Sequence, residues 1–110
     1  MVVSFEEFKK LDIRVVKVIK AEDHPNADKL YLVTVEIGQN ETKTLVAGIK
    51  GHYSKEELTG KLLILVNNLE PATIRGVRSE GMILAASDKD KKRIVVLTPD
   101  KPIESGSLVS

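Results

Sequence analysis

Apolar positions along the chain recur mostly with a period of two, and Val, Ile and Leu supply most of them. Tyr31, Val33, Val35 and Ile37 fall on one face of a strand, and Gly38-Gln39-Asn40 closes that run as a hairpin turn into Thr42 to Ile49. Upstream, residues 13 to 20 are β-branched or basic with imperfect alternation, which predicts a bulged or strongly bent strand. Asp23-His24-Pro25-Asn26-Ala27-Asp28 then supplies turn chemistry. Two places break the strand pattern. Ser4-Phe5-Glu6-Glu7 has the S-x-x-E form of a capping box, with Phe5 and Phe8 on one helical face, and predicts a short helix near residues 4 to 10. Ser54-Lys55-Glu56-Glu57 is a second such box, and Leu58 with Gly60 behind it predicts a helix of one or two turns. Lys61 to Val66 and Gly81 to Ala86 read as strands separated by a loop from Asn67 to Glu80, and Arg93 to Leu97 reads as a sixth strand. Five strands with a short helix between the third and fourth is the order of the OB fold, an all-β, five-stranded Greek-key barrel whose 1-2 and 4-5 loops flank the usual oligonucleotide face. The sixth strand is surplus to that plan. Pro99, Pro102 and Gly106-Ser107 break up the last dozen residues, while Ile103, Leu108 and Val109 keep the tail apolar enough to pack on something.

At 110 residues the chain is the size of one domain, with the barrel expected over about 11–90 and a C-terminal dimerisation segment over about 91–110. There is no Cys, so disulfides, thiolate catalysis and Cys-ligated zinc are excluded. No basic run leads into an apolar stretch at the N-terminus, and no segment approaches roughly eighteen consecutive apolar residues, so a cytoplasmic protein without a membrane partner is the expectation. His24 and His52 are the only imidazoles, and no nucleophile elbow, P-loop or dinucleotide fingerprint is present. Catalysis is therefore not expected, nor a metal or cofactor. His24 reads as a turn residue and His52 as a helix-entry residue.

The formal net charge is +1, yet residues 71 to 93 carry +3 and the remainder −2. A locally positive surface on a neutral protein selects an anionic partner without indiscriminate adhesion. Lys89 to Arg93 reads as a solvated hairpin tip, whereas Asn67 to Met82 sets polar groups between two strands, in the 4-5 loop. There Asn68 and Ser79 can donate and accept, Arg75 and Arg78 offer planar forks for phosphate, and Gly76 and Gly81 permit a close backbone approach. Lys29, at the end of the 1-2 loop, is expected across the same barrel face.

Asp12-Ile13-Arg14-Val15, Asp23 to Tyr31, Val46-Ala47-Gly48-Ile49, Asn68 to Met82 and Leu84-Ala85-Ala86-Ser87 together resemble the tRNA-binding domain family. That family is appended to methionyl-tRNA synthetases and occurs as a free-standing tRNA-binding protein. The resemblance implies tRNA as partner, a symmetric homodimer, an association with a methionyl-tRNA synthetase catalytic subunit, and tRNA-facing roles for Lys29, Asn68, Arg75, Ser79, Met82 and Ser87. Many relatives carry a basic pair after the proline where this chain has Ala72-Thr73, so Arg75 and Arg78 are left to compensate. A related export-associated chaperone has the same barrel and dimer plan with a peptide groove, which supplies the alternative function. Aromatic platforms are scarce, with Phe5, Phe8, Tyr31 and Tyr53 the whole set, so recognition by shape and phosphate is expected over base stacking.

Overall fold

The computed structural model describes residues 1–110. Helix α1 (Phe5–Phe8) starts at Ser4, whose hydroxyl accepts from the Glu7 N–H while the Glu7 carboxylate accepts from the Ser4 N–H, the predicted reciprocal box. Strand β1 (Ile13–Asp23) is long and central. It pairs antiparallel with β2 (Tyr31–Glu36), and a register shift between Val18 and Lys20 places a bulge where the alternation fails. β2 pairs in turn with β3 (Thr42–Ala47). Its predicted inner face is observed, with Tyr31, Val33, Val35 and Ile37 all buried. The second capping box opens α2 (Lys55–Leu58), whose Leu58 is fully buried. Burying one such leucine stabilises by about 2 kcal/mol, and the helix is otherwise a solvated plug. Strand β4 (Leu62–Val66) returns along the other edge of β1.

Beyond β4 the chain departs from the expected plain loop. Residues 67 to 80 contain a small antiparallel hairpin, β5 (Ala72–Ile74) and β6 (Val77–Ser79). The strand expected over Gly81 to Ala86 is two strands, β7 (Met82–Ile83) on β4 and β8 (Ala85–Ser87) on β9 (Ile94–Val96). Leu84 is the pivot, since its N–H donates to the Ile64 carbonyl and its own carbonyl accepts from Leu97. Strand order β3-β2-β1-β4-β7 makes a nearly closed barrel of five antiparallel strands, an OB-like fold. The seam between its two ends is bridged where Glu80 N–H donates to Thr44 O and Val46 N–H donates to the Ser79 hydroxyl. Gly81 lies in that seam: a Cβ there would come within 3.0 Å of Leu65 Cδ1 and 3.1 Å of the Val66 carbonyl. Its close approach is therefore internal and does not serve the approach of RNA.

The tail is bound within the chain. β10 (Leu108–Val109) pairs with Ile13 and Arg14, the stretch of the β1 edge that β2 does not reach. The Ser107 carbonyl accepts from Val15 N–H, Arg14 Nη1 donates to the Gly106 carbonyl, and Gly106 lies back to back with Gly38 of the β2-β3 turn. The twelve clustered core side chains include Val16, Val18, Leu45, Leu63 and Leu65, which fill the barrel, with Val96 of β9 capping them. No helix is long and apolar enough to cross a membrane.

Candidate nucleic-acid interface

Two loops distant in sequence meet at the end of the barrel where β1 hands over to β2. One is the 1-2 loop, residues 24 to 30; the other is the tip of the β5-β6 hairpin. The hairpin closes on the pair Ile74 and Val77, leaving Arg75-Gly76 as a two-residue turn. Both have positive φ, 53° and 87°, the backbone sense that suits the twist of a tight hairpin. Glycine adopts it freely. An arginine does so at a cost of roughly 1–2 kcal/mol.

That turn is gripped from outside. His24, only 5% exposed, accepts the Asn26 N–H at Nδ1 (2.9 Å), and its Nε2 lies 3.0 Å from the Ile74 carbonyl. A peptide N–H can only donate and a carbonyl can only accept, so the ring is the Nε2–H tautomer. Asn26 Nδ2 in turn donates to the Arg75 carbonyl at 3.2 Å. His24 is thus more than a turn residue, and Asn26, which the sequence marks only as part of the same turn, holds a second segment as well. The signal was present in His24-Pro25-Asn26, but its partners lie about fifty residues downstream.

Of the residues singled out from sequence, Lys29, Arg75 and Arg78 are exposed and enter no ion pair. Lys29 belongs to the 1-2 loop and Arg75 to the turn that this loop holds through His24 and Asn26; Arg78 lies across the hairpin from Thr73. Ser79 and Asn68 have their hydrogen bonds inside the chain. Ser79 is 5% exposed, and its hydroxyl accepts from Val46 and donates to the Gly81 carbonyl. Asn68 sits at the base of the hairpin, where its Oδ1 accepts from Asp12 N–H at 2.8 Å and its Nδ2 donates to the Lys10 carbonyl at 2.7 Å. It ties the segment between α1 and β1 to the base of the hairpin. Met82 pairs with Val66 and Ser87 with Ile94, each on a different element from the two loops.

Two acids lie at the 1-2 loop: Asp28 within it is exposed and enters no ion pair, whereas Asp23 at the end of β1 is neutralised. Asp23 accepts from both Lys50 and Lys55 at 3.1 Å, and these hydrogen bonds hold its carboxyl below the usual range. Lys89 to Arg93 form the exposed tip of the β8-β9 hairpin, as the sequence predicted. Asp88 caps it, accepting from the Lys92 and Arg93 N–H groups. The aromatic rings do not gather at either loop: Tyr31 is buried, the Tyr53 hydroxyl accepts from Val96 N–H, and Phe5 lies on α1 with Lys9 Nζ 5.4 Å from its ring centre. An ordered ridge carrying unpaired cations, without stacking platforms, is equipped to contact a phosphate backbone.

The fold defines a small module of OB type, and this ridge is its candidate nucleic-acid interface. A family model described as "Putative tRNA binding domain" matches residues 13–108, and the chain belongs to that family. Methionine–tRNA ligase from Nanoarchaeum equitans is 56% identical over 107 residues, which are 97% of this chain and 13% of the ligase. The ligase from Pyrococcus horikoshii is 53% identical over 107 residues, 97% of this chain and 14% of the ligase. The chain thus spans about one seventh of the length of these ligases. Among solved structures, a MetRS-related protein from Pyrococcus horikoshii superposes with a TM-score of 0.91 at 33% identity, covering 100% of this chain and 99% of that one. The chaperone CsaA from Bacillus anthracis gives 0.89 at 27% identity, with 100% of both chains covered.

Proposed function

We propose that the chain is a noncatalytic module that binds folded tRNA by shape and charge, acting in the cytoplasm as a dimeric subunit or appended domain of a methionyl-tRNA synthetase. The observation that carries this is the meeting of the 1-2 loop with the Arg75-Gly76 turn in a member of the tRNA-binding family, with Lys29, Arg75 and Arg78 free of acidic partners. In this reading those three cations contact phosphates. Ser79 and Asn68 hold the hairpin at its seam and base, and Met82 and Ser87 flank the contact. A structured RNA offers phosphates and 2′-hydroxyls in a fixed arrangement, so such a ridge recognises form with little dependence on sequence. Tethering the module to a synthetase raises the local tRNA concentration and lowers the apparent KM, while the chemistry stays in the synthetase.

Gel-shift titration with unfractionated tRNA tests this. Binding is expected in the low-micromolar range or tighter, with affinity falling as salt rises. Each cation removed should flatten the log-log salt dependence by about 0.9 units. Salt-independent or absent binding would overturn the reading. The full-length match to chaperone CsaA favours one alternative, a peptide-holding module. That module would ignore tRNA and suppress aggregation of an unfolded protein in the same buffer.

Dimerisation is proposed from the apolar side chains left outside the barrel, with Phe5 72% and Leu108 63% exposed and Val95 and Leu97 also outside. Deleting residues 99 to 110 would also remove the β10 pairing with β1, so a point substitution is cleaner. Leu108→Glu is expected to give monomers on sedimentation; an unchanged dimer would place the interface elsewhere.

A further inference from the structure

We propose that His24 and Asn26 are positioning residues for RNA binding: they clamp the Arg75-Gly76 turn in one geometry so that the Arg75 side chain meets a phosphate from a backbone already ordered. The inference rests on the reading of Arg75 as a phosphate contact and adds the device that aims it. The two successive carbonyls of the turn, Ile74 and Arg75, are both held by the 1-2 loop, one by the His24 ring and the other by the Asn26 amide. The ring is itself fixed by the Asn26 N–H, so one three-residue segment carries the whole clamp.

The hairpin needs such help. It has three residues in each strand, too few to hold a two-stranded ribbon in one shape without outside contacts. Its first turn residue has a φ of 53°, a conformation a non-glycine side chain resists. Glycine at position 75 would close the same turn with less strain, so an arginine there is explained by its side chain, which is exposed and makes no contact inside the chain through hydrogen bonds or ion pairs. Ordering a long side chain's backbone before the ligand arrives removes an entropic cost from binding. Asn26 lies on the outer side of the clamp and is exposed, so its loss leaves the barrel core untouched.

The test is a double-mutant cycle on the full chain with unfractionated tRNA as probe, with melting temperatures recorded for every variant. Arg75→Ala is expected to weaken binding about tenfold, the scale of a lost charge-assisted contact. Asn26→Ala should weaken it about fivefold in the native background and by less than about twofold in Arg75→Ala, because the clamp acts only through that side chain. Equal losses in both backgrounds would overturn the clamp while leaving the phosphate contact standing. Native affinity in Arg75→Ala would overturn the phosphate contact and the clamp with it. An independent readout is the ¹⁵N spectrum of the His24 imidazole, where the Nε2–H tautomer is expected and the Nδ1–H tautomer would refute the bridging geometry.

Discussion

The β5-β6 and β8-β9 hairpins are alike at first sight. Each carries basic residues at its tip, and each forces one of them into a left-handed backbone, Arg75 with φ 53° and Lys91 with φ 56°. They differ in what holds the tip. Asp88 caps the β8-β9 turn from within, taking the Lys92 and Arg93 N–H groups and pairing with the Arg93 guanidinium at 3.3 Å. The Arg75 turn is held by a segment some fifty residues upstream, so its geometry depends on the barrel having closed. Charge counting alone would favour Lys89 to Arg93, which holds four of the chain's cations. Tertiary anchoring instead favours the less basic tip in the proposed reading, because a cation borne on an already ordered backbone meets a phosphate at lower entropic cost.

The contrast can be broken in several places. The largest effect is expected from His24→Ala, which removes a buried ring and its two hydrogen bonds to the half-buried Ile74 carbonyl and the Asn26 N–H, and should lower stability by about 1–3 kcal/mol in a denaturant titration. A loss within experimental error would show that water replaces the ring and that the two loops are not locked together. Next comes Arg75→Gly, which relieves the left-handed strain and should raise stability by roughly 0.5–1 kcal/mol. The same substitution should weaken tRNA binding about tenfold. Lys91→Gly should bring a similar gain in stability with tRNA affinity held within about twofold, since that tip is assigned no anchored contact. If Lys91→Gly weakens binding as much as Arg75→Gly, the two tips are equivalent and anchoring explains nothing.

The smallest effect is on the acid limb. Hydrogen bonds from the Arg93 backbone hold the Asp88 carboxyl below its usual 3.8, as the Asn67 amide does for Asp12 and the Lys50 ammonium for Asp23. A carboxyl lowered on folding stabilises fully above its unfolded value, and that contribution fades as the pH falls through the lowered one. Stability should therefore decline from about pH 4 downward, and Asp88→Asn should make the acid limb shallower by lowering the plateau near neutrality, where the carboxylate contributes fully. An unchanged acid limb would detach Asp88 from the turn's stability.

Much of the fold was legible locally. Both capping boxes, the inner face of β2 and the bulge in β1 follow from spacing within a few residues, and each is observed. The hairpin inside the 4-5 loop is not legible in the sequence because its strands are three residues long, too short for the alternation of Ala72-Thr73-Ile74-Arg75 to register as a period. The split of β7 from β8 was missed because periodicity does not reveal when a strand changes partner. The site shows the same division. Lys29, Arg75 and Arg78 are exposed and without acidic partners, whereas Ser79 engages its hydroxyl with Val46 and Gly81 and Asn68 its amide with Asp12 and Lys10.

What the sequence determined by itself is what depends on near neighbours: strand faces, helix caps, turns and the surplus of cations between residues 71 and 93. Which polar groups would face solvent was settled only by tertiary structure. Ser79 finds its partner 33 residues away, His24 reaches 50, and Asn68 reaches 56 and 58. A hydroxyl, amide or imidazole can serve a ligand or a peptide group equally well, and only closure of the barrel decides which of them is within reach.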